Sequence, residues 1–105
     1  MTNALRLTVL TGCDARVHHK PMYHEIVTRA RDAGLAGATA LRGIEGYGAS
    51  GFVHTDRLLD AADNLPVTVI IVDTADRVRA FLPRLQDLTG ITILLDEVEV
   101  LNGNP

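Results

Sequence analysis

A glycine-rich heptapeptide, EGYGASG at residues 45–51, is the stretch of this sequence with the clearest chemical potential. Gly46, Gly48 and Gly51 have the spacing G-x-G-x-x-G, which in dinucleotide-binding folds lets the backbone approach a pyrophosphate. The strand-like run LPVTVIIVD ends at Asp73, near the place where such folds put a ribose-binding acid. A second interpretation is a mobile loop whose N–H groups approach a bound anion, and a third is a glycine-rich connection without a ligand.

The flanking sequence disfavours the dinucleotide interpretation. The fingerprint requires a preceding strand buried in a parallel sheet and a full helix that opens at the last glycines. Arg42 and Glu45 instead stand just before the glycines, and the following segment HTDRLLDAADN (54–64) is short and mostly polar. We therefore favour a flexible loop between two antiparallel strands, with Tyr47 as a contact residue.

Histidines and one cysteine supply further candidates for chemistry. His18, His19 and His24 could converge on a metal ion, but no second set of ligands has recognisable metal-binding spacing. We favour solvated loop histidines and predict no metal site. Cys13 could act as a nucleophile beside a histidine, although a small loop thiol is the favoured interpretation.

Two cations are candidates for anion contact. Lys20 precedes Pro21 at a predicted helix start, where the helix dipole favours negative charge. Lys20 and Arg42 could therefore bind a phosphate or a carboxylate. No catalytic constellation emerges from the spacing of the titratable residues.

Composition limits the class of protein. The chain has 105 residues, with 47% hydrophobic and 22% charged residues and a net charge of −3, which predicts one globular domain over residues 1–105. The absence of a basic patch argues against a nucleic-acid partner. One cysteine fits a reducing cytoplasm, and no apolar run reaches the length of a membrane-spanning helix. We therefore expect a cytoplasmic protein that does not itself span the membrane.

Hydrophobic periodicity predicts the element order β-α-β-loop-β-α-β. The predicted elements are strand 4–10, helix 21–33, strand 37–46, strand 65–72, a helix from Asp73 or Thr74 that is kinked at Pro83, and a last strand or strand pair over 91–101. A four-stranded antiparallel sheet with two helices on one face, the ferredoxin-like α+β sandwich, is the simplest solution.

The strand 67–72 is apolar on both faces. Val67, Val69 and Ile71 point one way, and Ile70 and Val72 point the other. Two helices cover only one face of such a sheet, and a large bare apolar face is unusual in a monomer. We therefore expect a closed symmetric oligomer in which the uncovered faces meet, in preference to a monomer with a rearranged sheet.

Several motifs in order resemble the bacterial family known as domain of unknown function 190. They are KPMYHEIV, GLAGATALRGIEGYGAS, HTDRLL, LPVTVIIVD and RAFLP. Members of that family are PII-like, and PII signalling proteins are ferredoxin-like homotrimers whose sheets face inward. The resemblance implies that EGYGASG forms the base of the mobile PII loop, with nucleotide clefts between subunits beside it. Family members are often encoded beside fluoride-exporter-like membrane proteins, which implies a transporter partner.

The first hypothesis is a non-enzymatic homotrimeric regulator. A nucleotide or another small anion would bind between subunits and set the conformation of loop 43–54. The sequence identifies neither this ligand nor a cofactor. The candidate ligand-binding residues are Arg42, Gly46, Tyr47, Gly48, His54 and Lys20. The alternatives are a small enzyme on an oligomeric ferredoxin-like scaffold with His19, His24 or His54 as general base, and a structural trimer that binds a protein partner without a ligand.

Overall fold

The computed structural model describes residues 3–101, so the first two and the last four residues of the predicted domain 1–105 lie outside it. The principal elements are β1 Ala4–Gly12, α1 Met22–Asp32, β2 Ala38–Arg42, β3 Pro66–Thr74, α2 Ala75–Phe81 and β4 Thr92–Val98. The four strands form one sheet in the order β2-β3-β1-β4, and each neighbouring pair is antiparallel. The predicted ferredoxin-like sandwich is confirmed, and an antiparallel sheet excludes the dinucleotide-binding fold.

Residue chemistry explains where α1 ends and where α2 begins and ends. Gly34 adopts a φ of +80° just after α1, a conformation that a glycine adopts without strain. The Thr74 hydroxyl accepts a hydrogen bond from the Arg77 N–H at 3.3 Å and so caps α2. The α-helix stops at Phe81, and the chain continues as a 3-10 turn over Leu82–Leu85 that accommodates Pro83.

The second strand is shorter than the sequence predicts. It ends at Arg42, and the Gly43 N–H donates to the Pro66 carbonyl at 2.7 Å as the chain leaves the sheet. Glu45–Gly46 then pairs with His54–Thr55 in a separate two-stranded ribbon. Residues 37–46 therefore form a strand and one side of a ribbon.

The predicted loop 11–20 also contains paired backbone. Arg16–Val17 pairs with Lys20–Pro21, and His18 and His19 make the tight turn between them at φ values of +48° and +66°. The last segment forms the single strand β4, so the alternative of a strand pair over 91–101 is wrong.

The sheet has one covered and one uncovered face. Val67, Val69 and Ile71 of β3 are buried beneath the helices with residues from β1, α1 and α2. Ile70 and Val72 lie on the opposite face, as predicted. That face also carries Leu10, Leu41 and Leu94, all exposed, together with Thr8, Thr39, Thr68 and Thr92. These apolar side chains are uncovered in the single chain, which is the condition for the expected self-association.

An arginine on α1 connects the helical layer to the segment after α2. The Arg29 guanidinium donates to Glu25 Oε2 at 2.8 Å, to both carboxylate oxygens of Asp87 at 2.6 and 2.9 Å, and to the Arg84 carbonyl at 2.7 Å. Hydrogen bonds from Arg29 lower the pKa of both the Glu25 and the Asp87 carboxyls and raise the pKa of the guanidinium. These hydrogen bonds of Arg29 with Glu25, Asp87 and the Arg84 carbonyl, called the Arg29 clamp below, hold α1 against the 3-10 turn.

Candidate ligand-binding cleft

The glycine-rich loop stands on a hydrogen-bonded base. Besides the ribbon, the Asp56 N–H donates to the Ile44 carbonyl at 3.0 Å, and Thr55 is buried. At the tip, the Gly51 N–H donates to the Gly48 carbonyl at 3.0 Å, and Gly51 adopts a φ of +76°. The sequence therefore forms a loop with a defined base and a turn at its tip.

Two glycines let this base lie against the start of β3. A Cβ atom on Gly43 would lie 2.8 Å from Pro66 Cγ, and one on Gly46 would lie 2.9 Å from it. Both distances are below ordinary carbon–carbon contact, which is about 3.5–4.0 Å. A Cβ atom on Gly48 would meet nothing within 4 Å. Gly43 and Gly46 are therefore required for packing, whereas Gly48 has space around it.

A cleft of about 420 Å³ lies between this loop and the end of the sheet. The uncovered sheet face contributes Leu10, Thr68 and Thr92 to its wall. The loop contributes Gly46, Tyr47, Gly48, Ala49, Ser50 and His54. The cleft is therefore continuous with the surface that is expected to meet other copies of the chain.

The structure places four of the six predicted site residues in the wall of this cleft. They are Gly46, Tyr47, Gly48 and His54. Arg42 ends β2 opposite Val67 and is exposed, and it does not line the cleft. Lys20 lies in the short ribbon opposite Val17, is also exposed, and does not line it either.

Of the three histidines considered as a general base, His54 is the one that lines the cleft. Its ring meets the Phe52 ring nearly edge-on, with the centroids 4.8 Å apart. Its Nδ1 lies 3.7 Å from Asp63 Oδ1, which is too long for a hydrogen bond, and the Asp63 side chain is 69% exposed. His54 lines the open cleft and Asp63 does not, so the two side chains do not form the closed apolar pocket expected of the enzyme alternative. His19 and His24 are exposed elsewhere.

Sequence reasoning missed the contribution of the turn before β3. Asn64 lines the cleft, adopts a φ of +48°, and accepts a hydrogen bond from the Asp14 N–H at 3.0 Å through Oδ1. Gly12 lies directly against this amide, where a Cβ atom would collide with Asn64 Oδ1. The signal in the sequence was an asparagine at a turn, because asparagine tolerates positive φ better than most residues.

The carboxylate of Asp73, the acid considered for ribose binding, accepts hydrogen bonds from the backbone inside the fold. Its side chain is 2% exposed. Oδ2 accepts the Ala36 N–H at 2.9 Å, and Oδ1 accepts the Thr74 N–H at 2.7 Å. The carboxylate therefore joins the turn after α1 to the start of α2.

Cys13 is half-buried against the core. Among residues 3–101, no three His, Cys, Asp or Glu side chains are grouped as metal ligands would be.

Comparison with known proteins assigns the family. The model of DUF190, a family described as "Uncharacterized ACR", matches residues 4–100. The chain belongs to the DUF190 family. A similar protein, the UPF0166 protein of Aquifex aeolicus (strain VF5), is 34% identical over 95 residues, which is 90% of each chain.

Several solved structures similar to this DUF190 chain are PII-like proteins. One is CPII, a nitrogen regulatory PII-like protein from Thiomonas intermedia K12, solved with ADP, AMP and bicarbonate: its TM-score is 0.66 at 17% identity, with 92% of this chain and 87% of CPII covered. A second is a PII-like signalling protein of Thermus thermophilus, with a TM-score of 0.64 at 16% identity and coverage of 96% and 94%. These similarities show that the fold is PII-like. Within residues 3–101, no helix is long and apolar enough to cross a membrane.

Proposed function

We propose that this DUF190 protein is a non-enzymatic, homotrimeric PII-like regulator. A small ligand, such as a nucleotide or another anion, binds in clefts between subunits and sets the conformation of loop 43–54. The loop then acts on a partner, for which we propose a membrane transporter, as the family resemblance implies. Arg42 and Lys20 contact the ligand from outside the cleft wall of one protomer.

One observation carries this proposal. Leu10, Thr68 and Thr92 line the cleft and also belong to the uncovered sheet face. Packing of other copies on that face would wall the cleft from a second side, so that ligand binding and assembly share one surface. The PII-like fold supports this arrangement, and the ADP and AMP found with CPII make adenine nucleotides the first ligands to test.

The loop has the properties that a ligand-set switch needs. Its base is fixed by the ribbon and by the two glycines that pack on Pro66, whereas its tip is exposed and has space around Gly48. The tip also presents Tyr47 and Phe52 to solvent. A fixed base with an exposed tip couples the cleft to an outer surface, where a partner can bind.

Hydrogen exchange read by mass spectrometry tests the switch. We expect ADP or AMP to slow amide exchange in residues 44–54 and to leave α1 unchanged. The variant Gly48→Pro should lose this response, because proline fixes φ and removes an N–H at the tip. Bound nucleotide with unchanged exchange in the loop would contradict the switch. If Gly48→Pro keeps both the trimer and the ligand response, the switch role of the loop is wrong.

A further inference from the structure

A groove on the helical layer is bordered by two arginines and lies apart from the cleft. It runs between the turn after α1, which contributes residues 33–35, and the outer surface of α2 and the 3-10 turn, which contribute Arg77, Ala80, Phe81 and Arg84. Its volume is about 360 Å³. It shares no lining residue with the cleft beside the glycine-rich loop, and among residues 3–101 no Asp or Glu lines it. The formally charged groups in its wall are therefore both positive.

The fold holds both arginines in place. Arg77 Nη1 donates to the Gly34 carbonyl at 3.1 Å, which ties this side chain to the opposite wall of the groove. The Arg84 carbonyl accepts a hydrogen bond at 2.7 Å from Arg29 as part of the Arg29 clamp, so the backbone that carries the Arg84 side chain is fixed. Binding to groups that are already positioned costs less conformational entropy than binding to free ones.

Both guanidinium groups have hydrogen-bond donors to offer. A guanidinium has five N–H donors, and the Arg77 side chain is 61% exposed. The Asp73 carboxylate lies 3.9 Å from Arg77 Nη1, but it is 2% exposed and accepts two backbone N–H groups, so it cannot cover the groove. Arg84 is exposed, and its side chain forms no ion pair with any residue from 3 to 101.

The spacing of the two arginines fits two separate carboxylates on an extended chain. Residues 77–81 are α-helical and residues 82–84 are in the 3-10 turn, so the two backbone positions are about 12 Å apart along the axis. In an extended peptide, side chains four positions apart lie on one face and are separated by about 13 Å. Between the arginines, the wall presents Ala80 and the half-buried Leu35, which leave room for a small apolar side chain.

We propose that this groove docks an extended acidic segment of another protein. Two carboxylates, four residues apart in that segment, pair with Arg77 and Arg84, and a small side chain midway between them lies over Ala80. Arginine suits this role because its planar guanidinium matches a carboxylate in charge and geometry. The groove lies on the helical layer, whereas the cleft is walled by the uncovered sheet face. The proposal is therefore independent of the ligand-regulated loop and adds a second contact surface for a partner.

Fluorescence anisotropy of a labelled peptide titrated with the full protein tests the docking. The probe is the end-blocked heptapeptide Ser-Glu-Thr-Ala-Thr-Glu-Ser, and its controls replace both Glu by Gln or place the two Glu side by side. We expect saturable binding of the probe and at least about tenfold weaker binding of the Gln peptide, which loses both ion pairs. Raising the NaCl concentration from about 50 to about 300 mM should weaken binding severalfold, because exposed ion pairs are screened by salt.

Variants of the groove locate the binding. Arg84→Ala should weaken binding of the probe about fivefold, the upper range for one exposed ion pair, and it keeps the carbonyl that Arg29 contacts. Ala80→Glu should abolish binding, because it places a carboxylate between the two arginines. Arg79→Ala is the matched control, since Arg79 is exposed on the same helix and does not line the groove. Its affinity should stay within about twofold of the native value.

Five outcomes overturn the proposal. They are no saturable binding of the probe, equal losses in Arg84→Ala and Arg79→Ala, and equal affinity for the peptide with adjacent glutamates. The fourth is displacement of the probe by glutarate or inorganic phosphate at a concentration equal to the Kd of the probe, which would make a small anion the occupant. The fifth is weaker self-association of Arg84→Ala in sedimentation velocity, which would make another copy of the chain the occupant. None of these results bears on nucleotide binding in the cleft.

Discussion

Gly46→Ala should destabilise the protein, whereas Gly48→Ala should not. The added Cβ at position 46 would lie 2.9 Å from Pro66 Cγ and 3.7 Å from its Cβ and Cδ. The first distance is about 0.6–1 Å short of ordinary contact. Pro66 cannot move away easily, because its ring is rigid and its carbonyl accepts the Gly43 N–H at 2.7 Å. Overpacking of this kind costs about 1–3 kcal/mol.

Position 48 provides the matched control. Its Cβ would meet nothing within 4 Å, and its backbone is not in the left-handed region. Alanine should therefore change stability by less than about 0.5 kcal/mol, or stabilise slightly by reducing the freedom of the unfolded chain. The two variants differ by one methyl group at two positions of the same loop. Any difference between them reports the contact with Pro66.

Urea unfolding at one fixed protomer concentration is the assay, because the stability of an oligomer depends on concentration. We expect a lower midpoint for Gly46→Ala with an unchanged slope. Pro66→Ala in the Gly46→Ala background should recover part of the loss, since it removes the ring that the new methyl group strikes. Equal midpoints for Gly46→Ala and Gly48→Ala, or no coupling with Pro66→Ala, would refute the close-packing argument.

Three further predictions concern the helical layer and the uncovered face. Arg29→Ala should cost about 1–2 kcal/mol in urea unfolding, because Arg29 is 19% exposed and its charged hydrogen bonds close the clamp. The pKa values of the Glu25 and Asp87 carboxyls are lowered in the folded protein. Their ion pairs therefore stabilise the fold fully above the unfolded pKa values, which are near 4. This stabilisation is lost as the pH falls through the folded pKa values. Urea midpoints measured from about pH 6 to pH 3 should therefore fall less steeply in Arg29→Ala than in the native chain. Leu94→Asp should convert the oligomer to monomers in sedimentation velocity, because it places an unpaired charge among the apolar side chains of the uncovered face, unlike Asp96, which is paired with Arg6.

Control variants separate these effects from general damage. Arg31→Ala should be nearly neutral, since Arg31 is 80% exposed and its one ion-pair contact in the described chain, with Asp32, is 3.9 Å long. Leu59→Asp should leave the oligomer intact, because Leu59 is fully exposed and lies outside the sheet. An Arg31→Ala loss as large as that of Arg29→Ala would contradict the clamp. An intact oligomer in Leu94→Asp would contradict the face-to-face assembly.

The sequence predicted the elements whose periodicity is set by a buried face. Strand 67–72 alternates between two faces, and α1 buries Met22, Ile26 and Ala30 at helical spacing. Those patterns, with the element order, suffice for the ferredoxin-like arrangement. The glycine loop was predicted as a site from its four glycines in nine residues and from the family resemblance, which makes EGYGASG the base of the PII loop.

Features that depend on contacts between distant segments could not be predicted. Strand β2 ends early because the backbone at Gly43 and Gly46 packs on Pro66, which is distant in sequence. Asn64 reaches the cleft through its contacts with Gly12 and Asp14. Neither periodicity nor local propensity contains such pairings, so the sequence could identify the loop but not the surface on which it rests.

Native mass spectrometry of the intact protein, with and without AMP and ADP, tests the central claim most directly. It reports the mass of the assembly and the mass of the bound ligand in one spectrum. We predict a homotrimer that carries up to three nucleotides, one for each cleft between neighbouring copies. A monomer would contradict the role of the uncovered sheet face, and a trimer that binds no nucleotide would contradict the nucleotide-regulated cleft.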